Sequence, residues 1–226
     1  MREPVLQEIG SLIVLRDDLY PGGTKARALG EFLKGAEEFV YASPAYGYAQ
    51  VALAYCCREV GAQATIFTAK RSRLHPRTQE ALLAGAKVVQ IPYGYLTHVQ
   101  AQASAYAQAS GAVYLPFGFD TPPFVAALAR LASSLPIVPA EVWTVAGSGT
   151  LSRALQIAWP QARFFAIQIG HAPTVGKAKL LLAPERFEEN ARVLPPFPSC
   201  LNYDAKAWQF LRTLASPGAL FWNVAA

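Results

Sequence analysis

An α/β fold of open parallel sheets with flanking helices is what this sequence predicts, on three observations. Short apolar, β-branched runs alternate with longer stretches of helical character. That alternation is the pattern of strand–helix–strand units whose parallel sheet is covered on both faces. The punctuation between them is Gly and Pro, placed where helices end and begin. The composition, 53% hydrophobic and 15% charged over 226 residues, supports a sizeable core and argues against disorder.

Taken in order, Leu12–Leu15 reads as a strand, and Thr24–Leu33 as a helix with Thr24 able to cap it. Phe39–Ala42 is the next strand, followed by a helix over Ala49–Val60 that Gly61 can close in a left-handed conformation. Strand Ala64–Phe67, helix Pro76–Ala84 with Gly85 behind it, and strand Lys87–Ile91 repeat the unit. Leu96–Ala109 is Ala-rich and of good helix propensity; Gly111 follows it and precedes strand Val113–Leu115. Pro122-Pro123 suits the first turn of a helix over Pro122–Leu135. Strand Val142–Ala146, helix Leu151–Ala158 and strand Phe164–Ile169 continue the alternation, and helix Asp204–Leu214 and strand Leu220–Val224 end it. Residues 170–202, rich in Pro and Lys, read as a long surface excursion of the kind that often carries function.

Composition also excludes. No apolar run reaches the roughly 18 residues of a membrane span. Met1-Arg2-Glu3-Pro4 does not open a signal peptide. Cys56, Cys57 and Cys200 are expected as reduced thiols, and the expected location is the cytoplasm. His75, His98 and His171 lie far apart, there is no Cys-x-x-Cys, and no metal site is expected. The net charge of +5 favours anionic ligands. Lys70, Arg71, Arg73 and Arg77 form its sharpest cluster, a solvated loop or a contact for phosphates and nucleic acid.

Four segments carry chemistry. In Gly22-Gly23-Thr24-Lys25-Ala26-Arg27 a glycine pair turns the chain into a helix whose first turn holds Lys25. The helix dipole there disfavours an ammonium and helps a neutral, nucleophilic amine. In Gly147-Ser148-Gly149-Thr150 an apolar strand runs through a small-residue turn into a helix. Such a turn can cradle a phosphate with backbone N–H groups and hydroxyls. It lacks the lysine of a nucleoside-triphosphate loop and the third glycine of a dinucleotide motif, so a phosphate monoester fits better. Ser43-Pro44-Ala45-Tyr46-Gly47-Tyr48 is a strand-to-helix turn able to hold a carboxylate. Tyr203, just before a helix, is either a phenolic acid/base or a core aromatic.

In the order in which the chain carries them, the four segments resemble the fold type II pyridoxal-phosphate (PLP) enzymes, above all aminocyclopropane-carboxylate (ACC) deaminase and D-cysteine desulfhydrase. Gly22–Arg27 is similar to the motif carrying the Schiff-base lysine, and Gly147–Thr150 to the phosphate loop. Tyr203-Asp204-Ala205-Lys206-Ala207 is similar to a segment of the deaminase branch. The resemblance spans residues 12–226 and implies a compact, two-lobed enzyme. A large PLP-binding lobe, 1–39 plus 119–226, would carry a small inserted lobe, 40–118. Lys25 and Tyr203 would be catalytic, with Lys25 bound to the PLP aldehyde. Gly147, Ser148, Gly149 and Thr150 would hold the phosphate, and Ser43, Ala45 and Gly47 the substrate. Departures follow too: Thr24 replaces the usual Asn, and the phosphate loop is one Gly short. Tyr46, where an Asn for the ring hydroxyl is usual, would cover the ring by stacking. Near the C-terminus Asn223 is the candidate partner of the pyridine nitrogen. The implied function is lyase chemistry of the deaminase or desulfhydrase kind on an amino-acid-like amine, in a homodimer. The alternatives are a phage-type enzyme acting, in the host cytoplasm, on an amino acid joined to a DNA pyrimidine, and a silent PLP-binding protein.

Overall fold

The computed structural model describes residues 3–30, 32–92 and 94–226. The chain divides into two compact units, Met1–Thr24 with Pro122–Ala226, and Lys25–Thr121. Both are α/β, as the alternation of elements requires.

The larger unit is built on a six-stranded sheet, in the order β1 (Leu6–Ile9), β2 (Leu12–Arg16), β10 (Leu220–Asn223), β7 (Glu141–Ala146), β8 (Arg163–Gln168), β9 (Lys179–Leu182). All neighbours pair parallel except β1, which folds back antiparallel on β2. The interior strands β7 and β10 are buried on both faces, which explains their continuous apolar run. One face packs Trp143 flat on Phe165 at 4.3 Å, with Phe197, Ala207 and Leu211 in the same core. Helices α5 (Pro122–Ser133), α6 (Thr150–Ala158) and α7 (Trp208–Leu214) complete the unit.

The smaller unit carries a four-stranded parallel sheet, β5 (Lys87–Ile91), β4 (Gln63–Ala69), β3 (Glu38–Ala42), β6 (Val113–Leu115). Its helices are α2 (Ala49–Val60), α3 (Pro76–Leu83) and α4 (Leu96–Ser110). Gly61 and Gly111 end α2 and α4 with φ of 73° and 74°, the left-handed closure their positions predict.

Three expectations change. β1 and β9 are edge strands with much of their surface exposed; β1 is half polar, with Gln7 and Glu8 at its centre, and the leucines of β9 lie inside the segment read as an excursion. Residues 170–202 are not merely a surface excursion. They contribute β9, bury Val175, Ala178, Phe197 and Cys200, and are tied to the fully buried Lys206, whose Nζ donates to the Arg186 carbonyl at 2.6 Å. Thr24 is not a cap: helix α1 (Gly23–Leu29) opens one residue earlier. Its hydroxyl donates to Asp17 Oδ2 at 2.7 Å and accepts from Trp222 Nε1 at 2.8 Å. Among the described residues no helix is long and apolar enough to cross a membrane.

Candidate active site

In parallel α/β sheets the loops beyond the carboxyl ends of the strands are where ligands bind. At that edge of the six-stranded sheet, β7 runs into Gly147-Ser148-Gly149-Thr150 and then α6. Gly149 sits at φ +81°, and a Cβ there would lie 2.1 Å from the Thr174 carbonyl oxygen, so the position admits only glycine. The Ser148 and Thr150 hydroxyls pair at 2.9 Å. The first-turn amides of α6 have no intrahelical acceptor, and with the helix dipole they favour an anion.

Tyr203 belongs to the same edge. Its hydroxyl accepts from the Gly147 N–H at 2.8 Å and donates to the Val145 carbonyl at 3.3 Å. The next residue, Asp204, is buried to 1% exposure. Its two oxygens reach no hydrogen-bond partner; the Val224 and Ala225 amides approach without closing to bonding geometry. Burial first, then the charges of Asp18 and Asp17, push its pKa well above the usual carboxylate range, against the pull of those amides.

The other two acids of this edge are hydrogen-bonded. Asp18 takes a bidentate pair from Arg16 at 2.8 and 2.7 Å and a bond from Asn223 at 2.7 Å. Asp17 accepts from Thr24 and from Trp222 Nε1. Asn223 is fully buried and engaged at both ends: its oxygen accepts from Ser199 at 2.7 Å, and its nitrogen donates to Asp18 and the Pro198 carbonyl.

In the smaller unit, Lys25 donates to the Gly118 carbonyl at 3.1 Å and lies 5.3 Å from the centre of the Phe119 ring. Loss of hydration lowers its pKa to about 8, with Asp120 pulling the other way. The loop that receives it is strained. Phe119 is a bulky residue at φ +57°, fully buried and packed edge-on against Tyr41 at 4.9 Å.

The Ser43–Tyr48 turn follows β3. Gly47 N–H closes it on the Pro44 carbonyl at 2.9 Å, and the Ser43 hydroxyl also donates to that oxygen at 2.9 Å. Gln50, fully buried, staples the turn from inside through Nε2 bonds of 3.0 Å to the Ala45 and Gly47 carbonyls. Tyr46 packs on His75 at 4.3 Å with the Arg71 guanidinium over its ring, and Arg77 lies over Tyr48. Lys70, Arg71 and Arg73 are exposed on the loop after β4.

The structure thus brings Gly147, Ser148, Thr150 and Tyr203 together in one unit. In the other it places Ser43, Ala45, Tyr46 and Gly47 in one turn, and the amine of Lys25, from α1, against the loop after β6. The residues that sequence reasoning missed are Asp204 and Gln50. An acid directly after a singled-out tyrosine, and a glutamine opening a helix behind a small-residue turn, were the available signals.

This is the fold of the PLP-dependent enzymes of fold type II. An ACC deaminase homologue superposes with a TM-score of 0.85 at 15% identity, covering 100% of this chain and 90% of that one. Threonine deaminase isoform 2 from Solanum lycopersicum gives 0.69 at 12% identity, over 95% of this chain and 74% of its own. Escherichia coli diaminopropionate ammonia lyase gives 0.64 at 14%, over 95% and 78%. No protein-family model and no curated protein sequence matches the chain.

Proposed function

We propose that this chain is a PLP-dependent enzyme acting at the α-carbon of an amino-acid-like amine, with lyase chemistry of the deaminase or desulfhydrase kind. The observation that carries the reading is the Lys25 amine, desolvated to a pKa of about 8 and held by a strained loop. A purely structural lysine gains nothing from that placement; a nucleophilic one needs its neutral form.

The residues fit the cofactor. The Gly147–Thr150 turn offers amides and hydroxyls to a phosphate monoester. The Asp204 carboxylate, buried and short of a partner, suits a pyridine nitrogen that carries a proton. When bound, PLP supplies an aldehyde for covalent capture and an electron-withdrawing ring at the α-carbon. Lys25 would hold the cofactor through its aldehyde, and its amine would move the proton at the substrate α-carbon. The Tyr203 hydroxyl is the second proton-transfer candidate. Ser43 and the backbone of Ala45 and Gly47 hold the substrate carboxylate, and Tyr46 flanks the ring. Asn223 acts as a brace that fixes Asp18 and Ser199. A homodimer and a cytoplasmic place of action belong to the same proposal. The exposed basic loop favours one second reading, a substrate amine attached to a DNA pyrimidine.

Borohydride reduction of the protein soaked in PLP, followed by peptide mass spectrometry, tests the reading. The pyridoxyl mass is expected on the Lys25 peptide, and the Lys25→Ala variant is expected to lose the visible band of the lysine-bound cofactor. A label on another lysine, or an unchanged band in the variant, overturns it. Addition of D- and L-amino acids should then shift that band; a band indifferent to every amine supports the silent binder.

A further inference from the structure

None of the chemistry above uses the start of the Pro- and Lys-rich segment that follows β8. Residues 174–177 form a strap that lies along α6 from its first turn to beyond its last. A Cβ at Gly149, just before the helix, would stand 2.1 Å from the Thr174 carbonyl oxygen and 3.3 Å from Val175 Cγ1. The Val175 carbonyl accepts from Gln156 Nε2 at 2.7 Å and from the buried Ser152 hydroxyl at 3.3 Å. The Lys177 N–H donates to Gln156 Oε1 at 2.8 Å. The Lys177 amine then reaches the Pro160 carbonyl past the helix end and lies 5.6 Å from the centre of the Phe164 ring.

Ser152 and Gln156 stand one turn apart on α6 and therefore share a face. Gln156 spans Gly176, bonding the carbonyl before it and the N–H after it. Gly176 sits at φ +65°, and a Cβ there would come within 2.4 Å of Gln156 Oε1. The amide can close both bonds because that residue is glycine. Two glycines thus interlock helix and strap: Gly149 admits the strap's backbone, and Gly176 admits the helix's amide.

The consequence falls on the phosphate turn. Amides grip an anion well only when their directions are fixed before it arrives, since ordering them on binding costs affinity. Gly149 is the most permissive residue of that turn, and the strap backbone pressed on it removes its freedom. Ser152 and Gln156 are themselves engaged with the strap, so their effect on a phosphate is indirect.

We infer that Gln156 and Ser152 are positioning residues, which through the 174–177 strap hold the Gly147–Thr150 turn in the shape that selects a phosphate monoester. The inference rests on the PLP reading and deepens it by naming what makes the site prefer the phosphorylated aldehyde.

Titration with PLP and with pyridoxal, the same aldehyde without its phosphate, tests it through the lysine-bound absorbance band. Gln156→Met keeps the bulk of the side chain and removes its bonds. PLP should bind this variant on the order of tenfold more weakly while pyridoxal binds as before, so the preference for PLP falls by the same factor. Gly176→Ala, which displaces the amide from the other side, should lower the same preference, and Ser152→Ala should lower it less. In the unaltered protein the Lys177 amide should exchange its hydrogen more slowly with PLP than with pyridoxal, because coupling between strap and phosphate is reciprocal. An unaltered protein that binds neither aldehyde, or both alike, refutes the phosphate turn and this inference with it. A clear preference for PLP that the variants retain, an equal loss of both aldehydes, or equal Lys177 exchange overturns the inference and leaves the cofactor reading standing.

Discussion

The two parallel sheets of this chain end differently at their carboxyl edges, although elements of the same kind build both. On the six-stranded sheet the edge is acidic and buried: Asp17 and Asp18 are hydrogen-bonded, Asn223 braces Asp18, and among the described acids of this edge Asp204 has oxygens without a hydrogen-bond partner. On the four-stranded sheet the edge is basic, aromatic and exposed along the β4 loop. A closed polar network over-determines its geometry and suits a cofactor that must not move. An exposed cationic surface is open to solvent and to ligands that exchange with it. The contrast is one of chemistry: a buried hydrogen-bonded network in one unit, an exposed cationic loop in the other.

The sharpest break of this division would come at Tyr203. Tyr203→Phe removes the hydroxyl that accepts from Gly147. As a proton-transfer group its loss should lower turnover by about 10²–10⁴-fold with KM little changed. A mere rise in KM would demote it to a support of the phosphate turn. Asp204→Asn should cost less turnover, on the order of tenfold to a hundredfold, by removing a preorganised charge. It also has a signature independent of activity. Because the folded pKa of Asp204 is raised, the native cofactor-free protein binds more protons than the unfolded chain above the usual carboxylate range. Its stability therefore falls as pH rises from that range through the folded pKa. Melting curves of the asparagine variant should lose this fall. Identical pH profiles would show that the acid is not held protonated. The smallest effect concerns the turn itself: Gly149→Ala must shift the Thr174 carbonyl and adopt φ +81°, costing about 1–3 kcal/mol in denaturant unfolding. A neutral result would mean that the 170–202 segment yields easily.

Legibility from sequence followed burial. Interior strands such as Val142–Ala146 and the long helices show their full pattern, and their limits agree with the structure to within a residue or two. β1 escaped because its Leu-Gln-Glu-Ile run is half polar, and β9 because its leucines lie among the prolines and lysines of the 170–202 segment. Lys25 and the Gly147 turn stood out as local motifs with a physical reason attached. Asp204 did not, since its meaning lies in what surrounds it: the two acids near the start of the chain and the backbone near its end. Thr24 was read as a cap because hydroxyls at helix starts usually are. A bond to Asp17 seven residues earlier and to Trp222 almost two hundred later is tertiary information.

Phe119 gives the molecule a built-in conflict of interests. Replacing it by glycine would release backbone strain while dissolving the aromatic wall beside the Lys25 amine. Laboratory selection for heat resistance and selection for turnover should therefore pull that codon in opposite directions, making it a natural place to watch the trade between durability and speed.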